Sequence, residues 1–190
     1  TLFRSRGLDV VGLYLDLDGA FPNHPANPLE PENLVDALQA VLTHGADLGL
    51  VFDGDADRCF IVDERGGVVD PSVVTAMIAV AELAKHPGST IVTNTITSWC
   101  VGEAVERHGG RVEQSTVGHT YVKALMARTG AVFGGEHSAH YYFRDFWFAD
   151  TGMLAALHVI ELVRQADRPL SELAAVYDGY HRSGELNSTV

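Results

Sequence analysis

The order of apolar and polar positions along the chain predicts alternating strands and helices. Short apolar runs that end at glycine or polar residues predict strands, whereas longer runs with apolar residues three or four positions apart predict helices. The predicted strands are residues 8–15, 48–52, 59–63, 90–93, 111–114 and 131–134. The predicted helices are residues 31–43, 72–85, 98–108, 120–128, 151–165 and 170–177. We therefore expect an α/β fold with layered, mixed but mainly parallel sheets and flanking helices.

Several connections refine this prediction. Residues 18–30 are rich in Pro, Asn and Gly and predict a long loop, and residues 64–67 predict the turn of a hairpin. Gly45 is expected to end the first helix. The strand at 48–52 is continuously apolar, as in a strand that is buried on both faces. The aromatic residues at 141–143 and 146–148 are expected to pack in the core and in strands.

Three carboxylates follow the second predicted strand. Asp53, Asp55 and Asp57 alternate over five residues, and Arg58 comes next. Like charges so close together repel one another, and a bound divalent cation relieves that repulsion. Hard oxygen ligands in a short loop favour Mg²⁺ or another oxygen-loving ion, and Gly54 would let the backbone curl so that the carboxylates converge. The guanidinium of Arg58 fits this loop if an anion such as a phosphate also binds.

Two other interpretations of the acidic loop compete with a magnesium site. A solvated acidic turn is one. An EF-hand-like calcium loop is the other, because Glu64 stands at position twelve counted from Asp53. That loop requires Gly at position six, where this chain has Arg58, and its flanks are predicted strands instead of helices. The calcium-loop interpretation is therefore set aside, whereas the solvated turn stays open.

A second group of polar residues follows the last predicted strand. The segment Gly-Gly-Glu-His-Ser-Ala-His at 134–140 supplies a carboxylate, a hydroxyl and two imidazoles. This mixture of donors and acceptors suits the vicinal hydroxyls of a sugar. A zinc site of Glu136, His137 and His140 is an alternative, although no fourth ligand is obvious. A purely structural polar turn stays open as well.

A third candidate site lies at the start of the helix predicted at 120–128. His119 precedes this helix and Lys123 lies in its first turn. A helix N-terminus with His and Lys close by can bind a phosphate or support general acid–base catalysis. An ordinary capped helix with a solvated lysine fits the same residues.

Composition narrows the classes of function. The chain has 190 residues, 46% of them apolar, and its formal net charge of −12 argues against a nucleic-acid-binding protein. No apolar run is long enough to span a bilayer and no signal peptide is visible, so we expect a cytoplasmic protein without a membrane partner. Cys59 and Cys100 lack metal-ligand spacing and are expected to be small buried residues in a reducing compartment.

Four motifs, in this order, make the chain resemble the α-D-phosphohexomutases, specifically the bacterial phosphomannomutase/phosphoglucomutase branch. The resemblance covers nearly the whole chain, and several motifs in one order are far more specific than any single one. The motifs are Asp-Gly-Ala-Phe-Pro-Asn-His at 18–24, Asn-Pro-Leu-Glu-Pro-Glu-Asn-Leu at 27–34, Asp-Gly-Asp-Ala-Asp-Arg at 53–58 and Gly-Glu-His-Ser-Ala-His at 135–140.

The resemblance implies an enzyme that interconverts hexose 6-phosphate and hexose 1-phosphate, with mannose or glucose as the sugar. In that family a phosphoserine donates its phosphoryl group, and a sugar bisphosphate reorients before the other phosphoryl group returns to the serine. The resemblance implies that Asp53, Asp55 and Asp57 bind Mg²⁺. It also implies that Arg58 and His119 are catalytic residues near the transferred phosphoryl group.

The resemblance assigns the second polar loop to the substrate. Glu136, Ser138 and His140 resemble the loop that binds the sugar hydroxyls, and we expect Lys123 to join them in substrate binding. The Ser-Ala-His sequence at 138–140 favours a hexose phosphate without a 2-amino group, on resemblance alone.

The resemblance also implies a domain organisation. Residues 1–67 are expected to be the C-terminal part of a metal-binding domain 2, residues 68–180 the sugar-binding domain 3, and residues 181–190 a hinge towards a domain 4. The phosphoserine loop, of the type Thr-Ala-Ser-His-Asn-Pro, is absent from these residues, as is the phosphate-clamping loop. No catalytic lysine is assigned at 95–98. We therefore expect that this chain alone does not complete the mutase cycle.

Two other functions stay open beside the mutase. A non-catalytic module that binds a metal and a sugar phosphate would use the same loops. A phosphatase is a further alternative, although no nucleophilic aspartate motif stands at an early strand end. Part of the domain 2 sheet is not represented in these residues, so we also expect self-association through an exposed sheet edge.

Overall fold

Two β-sheets organise the computed structural model, which describes residues 2–181. The first sheet contains three strands in the order β1-β2-β3, and the second contains five strands in the order β5-β4-β6-β7-β8. The strands of the first sheet are β1 (Leu48–Phe52), β2 (Cys59–Asp63) and β3 (Val68–Val69). Those of the second are β4 (Thr90–Asn94), β5 (Arg111–Ser115), β6 (Phe133–Gly135), β7 (Tyr141–Phe143) and β8 (Ala149–Asp150).

The helices flank these sheets, and the predicted α/β architecture is confirmed. A short 3₁₀ turn at Pro31–Leu34 leads into the first helix, so the helix predicted from residue 31 begins slightly later. The helices are α1 (Val35–His44), α2 (Pro71–Lys85), α3 (Trp99–Arg107), α4 (His119–Thr129), α5 (Gly152–Ala166) and α6 (Leu170–Ala175).

Strand direction divides the molecule into a parallel and an antiparallel part. Strands β5, β4 and β6 are parallel, whereas β7 and β8 run antiparallel to their neighbours. The first sheet is antiparallel throughout. Mixed sheets are thus confirmed, with more antiparallel pairing than the helix–strand alternation predicts. The connections at 136–140 and 144–148 are too short to hold a crossover helix, so they can only form hairpins.

Local sequence signals set several helix ends. The side chain of Asp70 accepts a hydrogen bond from the Ser72 backbone N–H at 2.8 Å, which caps α2. The hydroxyl of Thr151 caps α5 in the same way. Helix α1 ends at Gly45 as predicted, because this residue adopts the left-handed conformation with φ 59° and returns its N–H to the carbonyl of Val41.

Helix α2 joins the two sheets into one core. It is buried along most of its length and packs against β2, β6, α3 and α5. Its side chains belong to one hydrophobic cluster that includes residues of both sheets. A smaller cluster lies beneath α4 and contains Val92, Val122, Leu125, Met126, Ala131 and Tyr142. The loops that leave either sheet are therefore anchored to connected packing.

The two cysteines lie in this core as predicted. Cys59 and Cys100 are both buried and neither forms a disulfide. Burial raises the pKa of the Cys59 thiol above its ordinary value, so the uncharged form is favoured.

The strand predicted at residues 8–15 is wrong. These residues follow an irregular path, and Val11, Leu13 and Leu15 expose a large part of their side chains. A strand obtains its hydrogen bonds from a neighbouring strand, and among residues 2–181 the strand β1 pairs only with β2. An apolar run without a sheet edge beside it therefore does not form a strand here.

Two predictions about burial also differ from the structure. Strand β1 is half-buried along its whole length and is not covered on both faces. Among the aromatic residues, Tyr141–Phe143 are buried as predicted, but Phe146 and Trp147 are exposed in the loop between β7 and β8. This loop is a tight hairpin connection in which Trp147 adopts a left-handed conformation, and that turn directs its side chain away from the core.

Among residues 2–181, no helix combines the length and the apolar character that a membrane span requires. The hinge predicted at 181–190 lies outside the described residues except for His181.

Candidate active site

The acidic loop connects the antiparallel strands β1 and β2, and Arg58 organises it. One carboxylate oxygen of Asp53 accepts the backbone N–H of Arg58 at 3.1 Å, and the other accepts the Arg58 Nε–H at 2.7 Å. A second carboxylate oxygen, Oδ1 of Asp57, lies 3.9 Å from the same Nε. The guanidinium is thus held at the edge of the acidic cluster by a two-point contact with Asp53.

Ala56, and not Gly54, turns the backbone of this loop. Ala56 has φ 61°, in the left-handed region, whereas Gly54 does not have a positive φ. A Cβ built on Gly54 would meet only ordinary van der Waals contacts. The expectation that Gly54 provides the curl is therefore wrong, and the strained conformation falls on the next alanine instead.

The three carboxylates lie close enough to share one cation. Ligand oxygens of Asp53, Asp55 and Asp57 all lie within 4.8 Å of one another. One oxygen of Asp57, Oδ1, is buried and has no hydrogen-bond partner among the described residues. A buried anionic oxygen without a donor is costly, so this oxygen set fits a hard divalent ion such as Mg²⁺.

The electrostatic states of Asp53 and Asp57 differ. Burial raises the pKa of Asp53, but hydrogen bonds from the side chain and backbone of Arg58 outweigh it and bring the pKa below the ordinary value. Burial and the neighbouring Asp53 raise the pKa of Asp57 above the ordinary value, and His140 opposes that rise. The charge on Asp57 therefore lacks the compensation that Arg58 gives to Asp53.

The second polar loop, residues 136–140 between β6 and β7, lies directly beside the acidic loop. Arg58 and His140 form an isolated antiparallel β-bridge, and the Cys59 N–H donates to the Ala139 carbonyl at 3.4 Å. Nε2 of His140 lies 3.6 Å from Oδ2 of Asp57. Two motifs that are about eighty residues apart in the sequence thus form one continuous site.

The start of helix α5 closes against the acidic loop. The Gly152 N–H donates to the Ala56 carbonyl at 3.1 Å. A Cβ at Gly152 would lie 2.6 Å from the Arg58 carbonyl oxygen and 3.0 Å from that of Ala56, distances that no side chain tolerates. Only glycine allows the helix and the loop to approach so closely.

Backbone hydrogen bonds shape the second polar loop. The Glu136 N–H donates to the His140 carbonyl at 3.0 Å, and the Ala139 N–H donates to the Glu136 carbonyl at 3.1 Å. Ala139 adopts a left-handed conformation with φ 67°. Ser138 Oγ lies 2.9 Å from Nδ1 of His140, so these two side chains form a pair at the loop surface.

Glu136 is the most buried member of the predicted substrate set. Its side chain is 3% exposed, and its two carboxylate oxygens accept hydrogen bonds from different donors. Asn94 Nδ2 donates to Oε2 at 2.6 Å, and the Tyr142 hydroxyl donates to Oε1. Burial, together with this hydrogen bond, raises the pKa of Tyr142 far above its ordinary value.

Lys123 reaches the site from helix α4, whereas His119 makes no contact with it. Nζ of Lys123 forms an ion pair with Asp150 Oδ1 at 2.6 Å. The other oxygen of Asp150 lies 3.9 Å from Nε2 of His140. His119 is exposed in the first turn of α4, and its side chain makes no hydrogen bond or ion pair with any residue in 2–181.

The zinc arrangement considered for the second loop does not assemble. Nδ1 of His137 contacts the Ser72 hydroxyl at 3.1 Å and lies 3.8 Å from Asp70, away from His140. In the described part of the chain, the groups that could hold a metal are the Asp53, Asp55 and Asp57 set and an Asp57, His140 and Asp150 set. Both include Asp57.

Three residues of the site were missed by the sequence analysis. Asp150 and Asn94 both stand at the end of a strand, where ligand-binding loops begin, and that position could have identified them. Tyr142 lies inside an apolar strand segment, and nothing in the sequence distinguishes it from a core residue.

Comparison with protein families shows the same two loops in a known context. The family model "Phosphoglucomutase/phosphomannomutase, alpha/beta/alpha domain II" matches residues 1–67, and the corresponding model of domain III matches residues 70–180. The chain belongs to the phosphoglucomutase/phosphomannomutase family. The resemblance proposed from the four motifs is thereby confirmed.

Relatives within the phosphoglucomutase/phosphomannomutase family share about two fifths of their sequence with this chain. A phosphomannomutase of Escherichia coli K12 is 42% identical over 184 residues, which span 95% of this chain and 40% of the relative. A protein of Xanthomonas campestris named "Phosphohexose mutases" is 42% identical over 183 residues, or 41% of its length. The chain thus spans about two fifths of the curated relatives it matches.

A solved structure of this family has the same fold. The phosphoglucomutase/phosphomannomutase family protein of Burkholderia thailandensis superimposes with a TM-score of 0.87 at 32% identity, over 92% of this chain and 38% of that protein. A phosphomannomutase from Thermus thermophilus, at 24% identity and a TM-score of 0.74, shares the fold as well.

Proposed function

We propose that the native polypeptide containing this chain is a phosphohexomutase that interconverts hexose 6-phosphate and hexose 1-phosphate. The observation that carries this proposal is the direct junction of the acidic loop with the second polar loop. Arg58 and His140 pair through their backbones, and the His140 ring lies 3.6 Å from Asp57. A site of this kind can bind a cation, a phosphoryl group and sugar hydroxyls side by side.

The acidic loop would hold the metal and the reacting phosphoryl group. Asp53, Asp55 and Asp57 would bind Mg²⁺, which neutralises charge on a phosphoryl group when it is bound. Arg58 presents its guanidinium beside these carboxylates and would contact the phosphoryl oxygens, since a planar fork of donors matches their geometry.

The second polar loop would bind the sugar. Ser138 and His140 form a hydrogen-bonded pair that can both donate to and accept from a hydroxyl. Glu136 has both oxygens engaged but keeps free lone pairs, so it can accept a hydrogen bond from a further hydroxyl. Such a donor and acceptor mixture suits a hexose that must bind in two orientations.

Helix α4 would provide the cationic side of the site. Lys123 is fixed by Asp150 and lies one helical turn after His119, so both residues lie on one face of the helix. We propose that Lys123 binds the substrate phosphate and that the exposed His119 approaches it when substrate is bound. We also propose that residues 1–67 are the metal-binding part of domain 2 and residues 68–180 the sugar-binding domain 3.

A coupled mutase assay tests the proposed activity. The native polypeptide should convert mannose 1-phosphate or glucose 1-phosphate to the 6-phosphate in the presence of Mg²⁺. An Arg58→Ala variant should lose about a hundredfold or more in kcat, because a charged contact to the phosphoryl group is removed. Arg164→Ala serves as the control, since Arg164 is exposed on α5 and pairs only with nearby residues of the same helix.

The outcomes of this assay are clear. No turnover of either sugar phosphate by the native polypeptide, or equal turnover by the Arg58→Ala variant, would contradict the proposal. The 190 residues alone contain no loop that matches a phosphoryl-carrying serine. We therefore expect no sustained turnover from this chain by itself, and sustained turnover would show that expectation to be wrong.

A further inference from the structure

Tyr142 contacts three of the side chains that would bind the substrate. It lies fully buried on β7, and its hydroxyl donates a hydrogen bond to Oε1 of Glu136. Its ring lies nearly parallel to that of His140, with the centroids 6.3 Å apart. Nζ of Lys123 lies over the same ring, 5.9 Å from its centroid. One side chain thus links residues from α4 and from the second polar loop.

The hydroxyl of Tyr142 is suited to orienting Glu136. Burial and the hydrogen bond keep the phenol protonated, so it remains a donor. The other oxygen of Glu136 is held by Asn94 at 2.6 Å. A carboxylate with a separate donor at each oxygen has its plane fixed, and its remaining lone pairs then point in a defined direction.

The ring of Tyr142 is suited to orienting the other two residues. The face of an aromatic ring carries negative charge density, which attracts the ammonium group of Lys123. The near-parallel ring of His140 restricts that imidazole to one plane. The ring itself is immobilised in the cluster beneath α4.

We propose that Tyr142 is a positioning residue that fixes Glu136, His140 and Lys123 as one substrate-binding surface. This proposal rests on the proposed function for the nature of the ligand, a hexose phosphate. It does not rest on it for the geometry, which concerns the protein's own side chains. Tyr142 acts through these three residues and has no contact of its own with the reacting group.

The adjacent Tyr141 provides a matched control. It is also a fully buried tyrosine on β7, but its hydroxyl has no hydrogen-bond partner among the described residues. The Tyr142→Phe variant removes a hydroxyl that positions Glu136, whereas Tyr141→Phe removes one that positions nothing. Both changes keep the ring and alter the core by a single oxygen atom.

Kinetics of the native polypeptide test the role of the hydroxyl. We expect Tyr142→Phe to raise KM for the hexose phosphate about tenfold, as for one lost hydrogen bond to a charged group, with a much smaller change in kcat. Tyr141→Phe should leave both parameters unchanged. In a Glu136→Ala background the added Tyr142→Phe change should have no further effect, because Tyr142 acts through Glu136. Additive effects in the double variant would overturn the proposal.

A second variant tests the role of the ring. Tyr142→Leu removes the ring as well as the hydroxyl, so its KM should rise beyond that of Tyr142→Phe. Equal KM values for the two variants would overturn the role assigned to the ring. A lower melting temperature with an unchanged KM in both variants would show that Tyr142 is only a packing residue.

Crystal structures of the two phenylalanine variants separate this proposal from the proposed function. The Glu136 carboxylate should move by about 1 Å or rotate in Tyr142→Phe, and it should stay in place in Tyr141→Phe. An unmoved Glu136 would overturn the positioning role even if the enzyme is a mutase. If the wild type neither binds nor converts hexose phosphates, the proposed function is wrong, and the position of Glu136 still decides the role of Tyr142.

Discussion

Asp53 and Asp57 belong to one loop, yet their carboxylates lie in different electrostatic environments. Asp53 accepts two hydrogen bonds from Arg58, and its pKa lies below the ordinary value. Asp57 has an orphaned oxygen, and its pKa lies above the ordinary value. The loop thus contains one carboxylate that the protein satisfies and one that it leaves for a cation.

A substitution at Asp57 separates metal binding from folding. We expect Asp57→Asn to weaken Mg²⁺ binding by at least about tenfold, since an anionic ligand is lost. Without metal the free energy of unfolding should stay the same or rise, because repulsion from Asp53 is relieved. Calorimetric titration with Mg²⁺ and denaturant unfolding measure the two effects.

The control for this prediction is Asp145→Asn, because Asp145 is highly exposed in the loop between β7 and β8. It should leave Mg²⁺ affinity unchanged. Unchanged Mg²⁺ affinity in Asp57→Asn would show that the acidic loop is a solvated turn, the interpretation that the sequence leaves open.

At this scale the sequence predicts residue types better than residue roles. The carboxylates, Arg58 and His140 are identifiable because charged or titratable side chains next to a strand end are unusual. Tyr142 is not, since a hydroxyl within an apolar strand looks like core packing until its partner Glu136 is known. The turn at Ala56 is also unpredictable, because alanine rarely adopts a left-handed conformation.

The elements themselves are largely predictable from the spacing of apolar residues. Helices α2 to α5 and strands β1, β2, β4 and β5 lie within a few residues of their predicted positions, since each has a strong pattern and a clear cap or turn. The failure at residues 8–15 has a non-local cause. A strand requires a partner edge, and no periodicity in the strand's own sequence contains that information.

The start of helix α5 gives a prediction for an element contact. We expect Gly152→Ala to lower the free energy of unfolding by about 2 kcal/mol, because its Cβ would overlap the Arg58 carbonyl and push the helix from the acidic loop. Metal affinity should fall as well. Gly102→Ala is the control, since it lies in α3 with open space around it and should gain about 0.5–1 kcal/mol. Equal stabilities of the two variants would contradict this contact.

The first turn of α6 gives a pH-dependent prediction. Glu64 accepts the backbone N–H of Ser171 at 3.1 Å and also its hydroxyl. Burial raises the pKa of Glu64, but these hydrogen bonds outweigh it and lower the pKa below the ordinary value. A lowered carboxyl pKa stabilises the folded state above the unfolded pKa of about 4.3, and this contribution fades as the pH falls through the folded value.

Glu64→Gln should therefore lose about 1 kcal/mol of unfolding free energy at pH 7, and the difference from the wild type should shrink below about pH 4. Denaturant unfolding across this pH range measures the difference. The exposed Glu113 on β5 provides a control, and Glu113→Gln should match the wild type at every pH. A difference for Glu64→Gln that does not change with pH would contradict the assignment.

At the scale of the whole molecule, an apolar surface remains near the first sheet. Leu15 and Leu17 are strongly exposed, and the outer edge of β1 has no partner strand among residues 2–181. We expect concentration-dependent self-association in sedimentation velocity, because such surfaces favour contact between copies. Replacing both leucines with lysine should reduce it, whereas Val176→Lys should not. A single monomeric boundary at all concentrations would contradict this prediction.

The central claim concerns the junction of two loops that the sequence separates widely. Each loop could be predicted as a binding site, but their contact could not, because it depends on the bridge between Arg58 and His140 and on the packing of α2. If the loops form one site, a cation at the acidic loop and a phosphate at the second loop should attract each other.

Calorimetric titration of the native polypeptide with mannose 1-phosphate, with and without Mg²⁺, tests this claim most directly. Each ligand should bind at least about fivefold more tightly when the other is present, since coupling between two sites is reciprocal. Asp57→Asn should abolish the coupling. Hexose phosphate binding that is independent of Mg²⁺, or no binding at all, would contradict a single shared site.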